Sequence, residues 1–425
     1  MKNATMNLIN EIVISSKARG IAQLITEDTQ YDGRIITILG KKLINFSSCS
    51  YLGLEVDERL KRGAIQSIEK YGVQFSSSRS YVACSLYTEL EELVSQIFDG
   101  HVVLSTSVSL GHHGVIPVII GENDAIIMDQ QVHSSVQDAV QKVQATGIKV
   151  TISSHNDMVS LEKKVLELSA VYDKVWLMID GVYSMYGDFA PTESLFRLLQ
   201  TYNKLHIYAD DAHGMSWQGK HGRGYILNQT DIHSRIVLAT SLNKAFAAGG
   251  GAFVFSDKKL SEKVRNIGGS FMFSGPHQIP VLGASIASAK IHLSDEIYDR
   301  QFALAERIQY CQDLLEKFGL PVVSNNLSPI FFIGLGLLRV GHNVIQRIMN
   351  DGFMVNLAAF PAVPENCTGI RFTITLHHSR KDIEKLVMSI AYNFNEALKE
   401  EGRTMEDINK SFRKMLRNKE VSKTV

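Results

Sequence analysis

The chain has 425 residues, 45% of them hydrophobic and 21% charged, with 44 basic side chains against 44 acidic ones. That length supports a substantial core and more than one folding unit, and a formal charge of zero excludes a global field drawing the protein to nucleic acid or an anionic membrane. Cys49, Cys84, Cys311 and Cys367 are scattered without a CxxC pair, so neither a disulfide framework nor a zinc knuckle is indicated and a reducing cytoplasm is expected.

No apolar run approaches the roughly 18 residues of a membrane span. The first 25 residues carry Glu11 and Lys17 among their apolar positions and read as an amphipathic helix, not a signal peptide. Two short strands with a Gly-Lys-Lys turn follow in "GRIITILGKKLINFSS". From about residue 100 the pattern alternates. "HVVLS", "DAIIMD", "IKVTIS", "VWLMID", "LHIYAD" and "RIVLAT" are apolar runs ending in Ser, Asp or Thr, and helical stretches such as "SSVQDAVQKVQ" separate them. This predicts an α/β unit with a mostly parallel sheet covered on both faces, its ligand site at the C-terminal strand ends. The strand-end residues are Ser105 to Ser109, Asp129, Asp180, Asp210 and Thr240.

Near residue 300 a long helix begins, followed by "SPIFFIGLG", "GFMVNLA", "GIRFTITL" and a helix over 379–401, which predicts a smaller α+β domain. The expected division is an N-terminal segment 1–55, a large domain 56–295, a small domain 296–400 and a charged tail 401–425. In the tail, Met405, Ile408, Phe412, Met415 and Leu416 fall on one helical face, with Lys410, Arg413, Lys414 and Arg417 mostly elsewhere. That face is expected to be a solvated or dimer-packing helix, with contact to a membrane surface as the lesser reading.

The densest chemistry lies in "IYADDAHGMSWQGKHGRG", where a strand ends in Asp210 and Asp211 with His213 just beyond. An acid there can simply cap a turn. A buried acid that stays ionised needs a cationic partner, and a protonated pyridine nitrogen is one. Lys244 follows the next strand, before the glycine run of "AAGGGAF". Acid, histidine and lysine on neighbouring strand ends match the needs of pyridoxal phosphate: a covalent amine, a partner for the ring nitrogen and a donor to the ring oxygen. The glycines would let the backbone pass close to the cofactor.

With "DGVYSMYGDFAP" (180–191) and "YADDAHG", the chain resembles the α-oxoamine synthase family of fold-type-I pyridoxal phosphate enzymes, from "LINFSSCSYLGL" (43–54) to "GIRFTITLHH" (369–378). "GFMVNLAAFPAVP" leans toward the serine palmitoyltransferase branch. The resemblance implies a large domain with a mostly parallel seven-stranded sheet and a smaller C-terminal α+β domain. It implies Lys244 as covalent lysine and base, Asp210 as pyridinium partner, and His213 and Ser184 near the ring oxygen. His133 matches the histidine that stacks on the ring and orients the substrate carboxylate, although a lone histidine opening a helix also reads as a cap. Ser241 matches a phosphate-binding hydroxyl and Ser274 a position reaching the partner subunit's phosphate, which implies a homodimer. Arg371 matches the arginine that binds the substrate carboxylate.

Four departures stand out. Val108 and Ser109 replace Gly-aromatic in the phosphate loop, where Ser107 and Ser109 could add hydroxyls to the backbone amides. Cys49 stands where Asn is common near the substrate. Gln74 and Ser76, Ser77 and Ser78 occupy a segment usually rich in glycine. Asp180 stands where Glu is usual. The added hydroxyls suit a polar or anionic substrate, serine or cysteate. The implied reaction is decarboxylative condensation of a small amino acid with an acyl thioester, on CoA or an acyl carrier protein. An aminotransferase of the same fold and a non-catalytic partner subunit are the rival readings. The pairs His112–His113 and His377–His378 point apart and are not expected to share a metal. No GxGxxG follows a first strand, so no dinucleotide site is expected.

Overall fold

The computed structural model describes residues 3–413. The chain divides into two compact units. One is Leu54–Tyr183 with Phe189–Gln301, and the other is Ser184–Asp188 with the described parts of Met1–Gly53 and Phe302–Val425. The N-terminal segment is therefore not a separate element before the large domain. Strands β1 (Ile35–Ile38) and β2 (Lys41–Asn45) pair antiparallel in the second unit.

The first unit is built on a seven-stranded sheet. Its strands are β3 (His101–Ser105), β4 (Ala125–Asp129), β5 (Lys149–Ser153), β6 (Val175–Asp180), β7 (Leu205–Asp210), β8 (Ile236–Ser241) and β9 (Gly251–Phe255). The order is β3-β9-β8-β7-β6-β4-β5, and only β9 runs antiparallel to its neighbours. β4, β6, β8 and β9 are buried along their whole length, and β7 everywhere but at His206, as expected of strands covered on both faces. One core cluster packs Ile126, Met178, Tyr208 and Phe253 from the strands against Val115, Ile116, Val136 and Val140 from helices. Each such buried side chain contributes roughly 1.5–3 kcal/mol relative to exposure.

The parallel strands deliver their last residues to one edge. Asp180 and Asp210 are register partners on β6 and β7. β9 was not legible, because Gly249, Gly250 and Gly251 read as a loop. The structure explains them by contact. A Cβ on Gly251 would lie 2.8 Å from the Val108 backbone, and one on Gly250 would lie 2.8 Å from the Ser105 carbonyl oxygen. Gly250 also has φ +107°. The glycines admit the strand against the loop and the helix Val108–Ile119.

In the second unit β10 (Ile330–Gly336) pairs with β13 (Thr368–Thr373), and β13 with β12 (Asn356–Ala358). β11 (Phe353–Met354) instead adds parallel to β2. The single strand expected over "GFMVNLA" thus divides at Val355 between two sheets, and this pairing draws the N-terminal strands into the C-terminal unit. The helix Arg380–Glu400 starts with a capping box between Ser379 and Asp382. In the tail, Ile408 and Phe412 are 2% and 1% exposed, and a Cβ on Gly334 of β10 would lie 2.6 Å from the Phe412 ring. Ile408 and Phe412 therefore cover the chain's own strand, while Met405 at the start of the same face is 36% exposed. Lys414, Met415, Leu416 and Arg417 lie outside the described residues.

Candidate active site

A cleft at the C-terminal edge of the sheet contains about 560 Å³ of empty space, part of it open to solvent. Its lining includes Ser107, Val108, Ser109, His133, Asp180, Asp210, His213, Ser241 and Lys244. Lys244 is the only lysine or arginine among the described lining residues.

One end of the cleft is built largely from backbone. The helix Val108–Ile119 opens with Ser107 as N-cap, whose Oγ accepts the Leu110 N–H at 3.1 Å. The N–H groups of the first helical residues have no partner within the helix and attract anions. Ser241, at the end of β8, is 4% exposed and its Oγ accepts the Asn243 N–H at 3.1 Å. Glycine is not required for this cradle. Val108 keeps its N–H, and Gly251 gives up the side chain instead.

Lys244 follows β8 in a bend closed by the Ala247 N–H donating to the Lys244 carbonyl at 2.9 Å. Asp210 is 5% exposed. Burial alone would raise its carboxyl. The hydrogen bond from His112, together with the charge of Lys244, outweighs burial, and the net direction is down. Its register partner Asp180 goes the other way. Burial and the charge of Asp210 hold the Asp180 carboxyl well above its ordinary range, although the His133 N–H donates to it at 3.1 Å. Burial thus favours the protonated form of Asp180, while the donors around Asp210 favour its carboxylate.

His133 combines both expected roles for its position. It caps the helix Ser134–Gln144, its Nδ1 accepting the Ser135 N–H at 3.3 Å, while its ring lines the cleft. The hydrogen on the neutral ring is therefore on Nε2. Desolvation and the charge of Lys244 lower its pKa against the pull of Asp210, so the neutral ring is favoured. His213 is 8% exposed and lines the same cleft.

Other expected site residues are not among those that line this cleft. Arg371, Cys49 and Ser184 meet in the second unit. Arg371 Nε donates to the Ser184 carbonyl at 2.7 Å and its Nη2 lies 3.9 Å from Cys49 Sγ. Ser274 lines a small separate pocket with Arg79, Tyr87 and His277, not the Lys244 cleft. Ser77 is exposed and does not line the cleft. Its neighbours' hydroxyls are already used: Ser76 Oγ donates to the Ser78 carbonyl at 3.0 Å and Ser78 Oγ to the Met272 carbonyl at 2.8 Å. They add no free donors for a polar substrate.

His112 is the residue that sequence reasoning passed over. Weighed only as a metal ligand, it sits behind Asp210, with Nε2 3.1 Å from Oδ2. The available signal was its place one turn beyond Val108, on the side of the helix that returns to the sheet.

These residues fit pyridoxal phosphate. An ionised buried carboxylate, a lysine, a neutral histidine ring and an anion cradle converge on one cavity, and no metal is needed to compensate any of their charges. The sequence matches the family of class I and II aminotransferases over residues 41–390. It is 30% identical to an 8-amino-7-oxononanoate synthase of Thermosipho melanesiensis over 373 residues, 87% of this chain and 92% of that one. It is also 30% identical to one from Treponema denticola, over 90% of this chain and 95% of that one. A serine palmitoyltransferase structure from Sphingomonas wittichii superposes with a TM-score of 0.85 at 20% identity, over 93% of this chain and 98% of the other. The chain belongs to the class I and II aminotransferase family and, within it, to the α-oxoamine synthases, pyridoxal phosphate-dependent acyltransferases.

Proposed function

We propose that the protein condenses a small polar α-amino acid, serine or cysteate, with an acyl thioester on CoA or an acyl carrier protein, for lipid biosynthesis. The observation that carries the reaction class is the convergence of Lys244, ionised Asp210, His133 and the helix N-terminus on one cleft. Pyridoxal phosphate, when bound, supplies an electron sink conjugated to the α-carbon of the amino acid. Lys244 Nζ takes the α-proton. Asp210 keeps a proton on the ring nitrogen by remaining charged, and His213 and Ser184 serve the ring oxygen. The N–H groups of Val108 and Ser109, with the hydroxyls of Ser107, Ser109 and Ser241, hold the phosphate. Arg371 would bind the amino-acid carboxylate, with Cys49 beside its guanidinium, and neutral His133 would support the ring. A bond forms between the α-carbon and the thioester carbonyl. The thiol leaves, then CO2 leaves, and an α-amino ketone remains.

Ser274 stands outside this cleft and is read as reaching the phosphate of a second copy, which makes the working form a homodimer, while Ser77 is kept as a substrate-binding residue. The expected place of work is the cytoplasm; no helix among the described residues is long and apolar enough to cross a membrane.

A second amino acid has specific support. The relatives at 30% identity are named for 8-amino-7-oxononanoate, the product that alanine and a seven-carbon diacid thioester give on loss of CO2. With Ser76 and Ser78 using their hydroxyls internally, the case for a polar substrate rests on Ser77 and Cys49. Thiol release from palmitoyl-CoA and pimeloyl-CoA, measured with serine, cysteate, alanine and glycine, separates the readings. Turnover with serine or cysteate supports the proposal, and a large preference for alanine with the pimeloyl donor replaces it. Transamination without thiol release would return the protein to the aminotransferases proper.

A further inference from the structure

The mechanism above leaves unused a fully buried histidine that touches Asp210. His112 is 0% exposed, and its ring meets Tyr208 and Phe253 edge-on, with centroids 5.7 and 5.8 Å away. A buried imidazole has two nitrogens to satisfy. Nε2 lies 3.1 Å from Asp210 Oδ2, and Nδ1 lies 2.6 Å from the Tyr208 phenol oxygen.

The directions follow from chemistry. An ionised carboxylate only accepts, so Nε2 carries the hydrogen and donates to Asp210. Burial, with the charge of Asp210 adding, holds the Tyr208 phenol well above its ordinary pKa, so it stays protonated and donates to Nδ1. The bonds run one way, from Tyr208 O–H to His112 and from His112 N–H to Asp210. The other carboxylate oxygen, Oδ1, accepts the Ala212 N–H at 3.0 Å. Each oxygen of Asp210 is thus held by one donor of the chain. The carboxylate cannot turn without losing both bonds, and lone pairs remain on the cleft side.

We propose that Tyr208 and His112 are positioning residues for the cofactor's ring nitrogen: acting through Asp210, they fix a charged carboxylate so that a protonated nitrogen ring is held in preference to an uncharged ring of the same shape. The inference rests on the pyridoxal phosphate reading of the cleft. The competing role is plain packing, since His112 also fills the space between Phe253 and Tyr208. Lys244, His133 and Asp180 act on Asp210 as well, but comparing two ligands on one variant cancels their contribution.

The test is the dissociation constant of the apoprotein for pyridoxal phosphate and for its 1-deaza analogue, in which C–H replaces the ring nitrogen. The parent protein is expected to favour pyridoxal phosphate. His112→Leu should weaken pyridoxal phosphate about tenfold or more, the loss typical of a hydrogen bond to a charged group, and leave the analogue unchanged. His112→Gln, which keeps an N–H donor near the Nε2 position, should recover part of the loss. Tyr208→Phe should cause a smaller loss in the same direction. If His112→Leu does not fold, Tyr208→Phe carries the test alone, because it removes only a hydroxyl. Equal weakening of both ligands would overturn the relay and leave a packing role. A parent that holds both ligands equally well also overturns it, while keeping the cofactor site. A parent that binds neither overturns the site itself.

Discussion

Two carboxyls adjacent in the chain occupy opposite surroundings. Asp210 faces the cleft and has a histidine donor, a backbone donor and the charge of Lys244 nearby. Asp211 is 0% exposed in a socket of backbone. A Cβ on Gly181 or Gly214 would lie 2.2 or 2.1 Å from its Oδ1, and one on Gly224 would lie 2.4 Å from Oδ2. Its Oδ2 accepts the Ile226 N–H at 3.0 Å, and its Oδ1 has no partner among the described residues. Burial pushes the Asp211 carboxyl up to about 8. Asp210 ends β7 and Asp211 is the first residue beyond it, and the donors around each decide which one is charged. Within one dipeptide, one acid is available for chemistry and the other ties the loop after β7 to the start of the helix Gly224–Gln229.

Substitutions can break this contrast. Asp210→Asn removes the charge with little change of shape. Turnover should fall on the order of 10²–10³-fold, the scale of losing one preorganised electrostatic partner, while the fold survives. Steady-state thiol release beside a thermal melt reads both quantities. A comparable loss from Asp211→Asn would show that the two acids are not divided in this way.

The pH dependence of stability tests the other side. The folded pKa of Asp211 is raised to about 8, above its unfolded value. Its contribution to stability is complete below the unfolded value and is lost as pH rises through the folded one. Relative to the parent, Asp211→Asn should gain about 1.4 kcal/mol per pH unit across that window, seen as urea midpoints diverging between pH 5 and about 8. Parallel midpoints would mean that Asp211 is ionised in the fold.

A smaller effect sharpens the picture of the cleft wall. Gly251→Ala places a methyl 2.8 Å from the Val108 backbone and should cost about 1–3 kcal/mol, with weaker retention of pyridoxal phosphate on gel filtration. Unchanged retention would separate β9 from the cradle. Smallest is Ser78→Ala, which removes a buried hydroxyl's bond to Met272 and should cost about 0.5–1.5 kcal/mol without changing which amino acid is used. A change in amino-acid preference would restore this loop to the substrate site.

The parallel strands were legible because each is a short run of buried Val, Ile, Leu or Met ending in a polar residue. Asp210 and Lys244 were legible because those ends share one edge. What escaped depends on partners distant in sequence. β9 was hidden by glycines whose reason is the backbone of Val108. The two short strands around Val355 share one alternating pattern, and only β2 and β13 tell them apart. Ser76 and Ser78 look like donors until their carbonyl partners are known. His112 had no sequence neighbour to reveal it, since Tyr208 and Asp210 lie about a hundred positions away.

The account stands most directly on the visible absorption of the purified protein and of Lys244→Ala, recorded with pyridoxal phosphate while serine, cysteate, alanine and glycine are titrated. It predicts a bound-cofactor band in the parent that shifts with serine or cysteate, and an altered band in Lys244→Ala that no longer reports covalent attachment. A parent protein that shows no band even with added pyridoxal phosphate would contradict the account and make this chain a non-catalytic partner subunit.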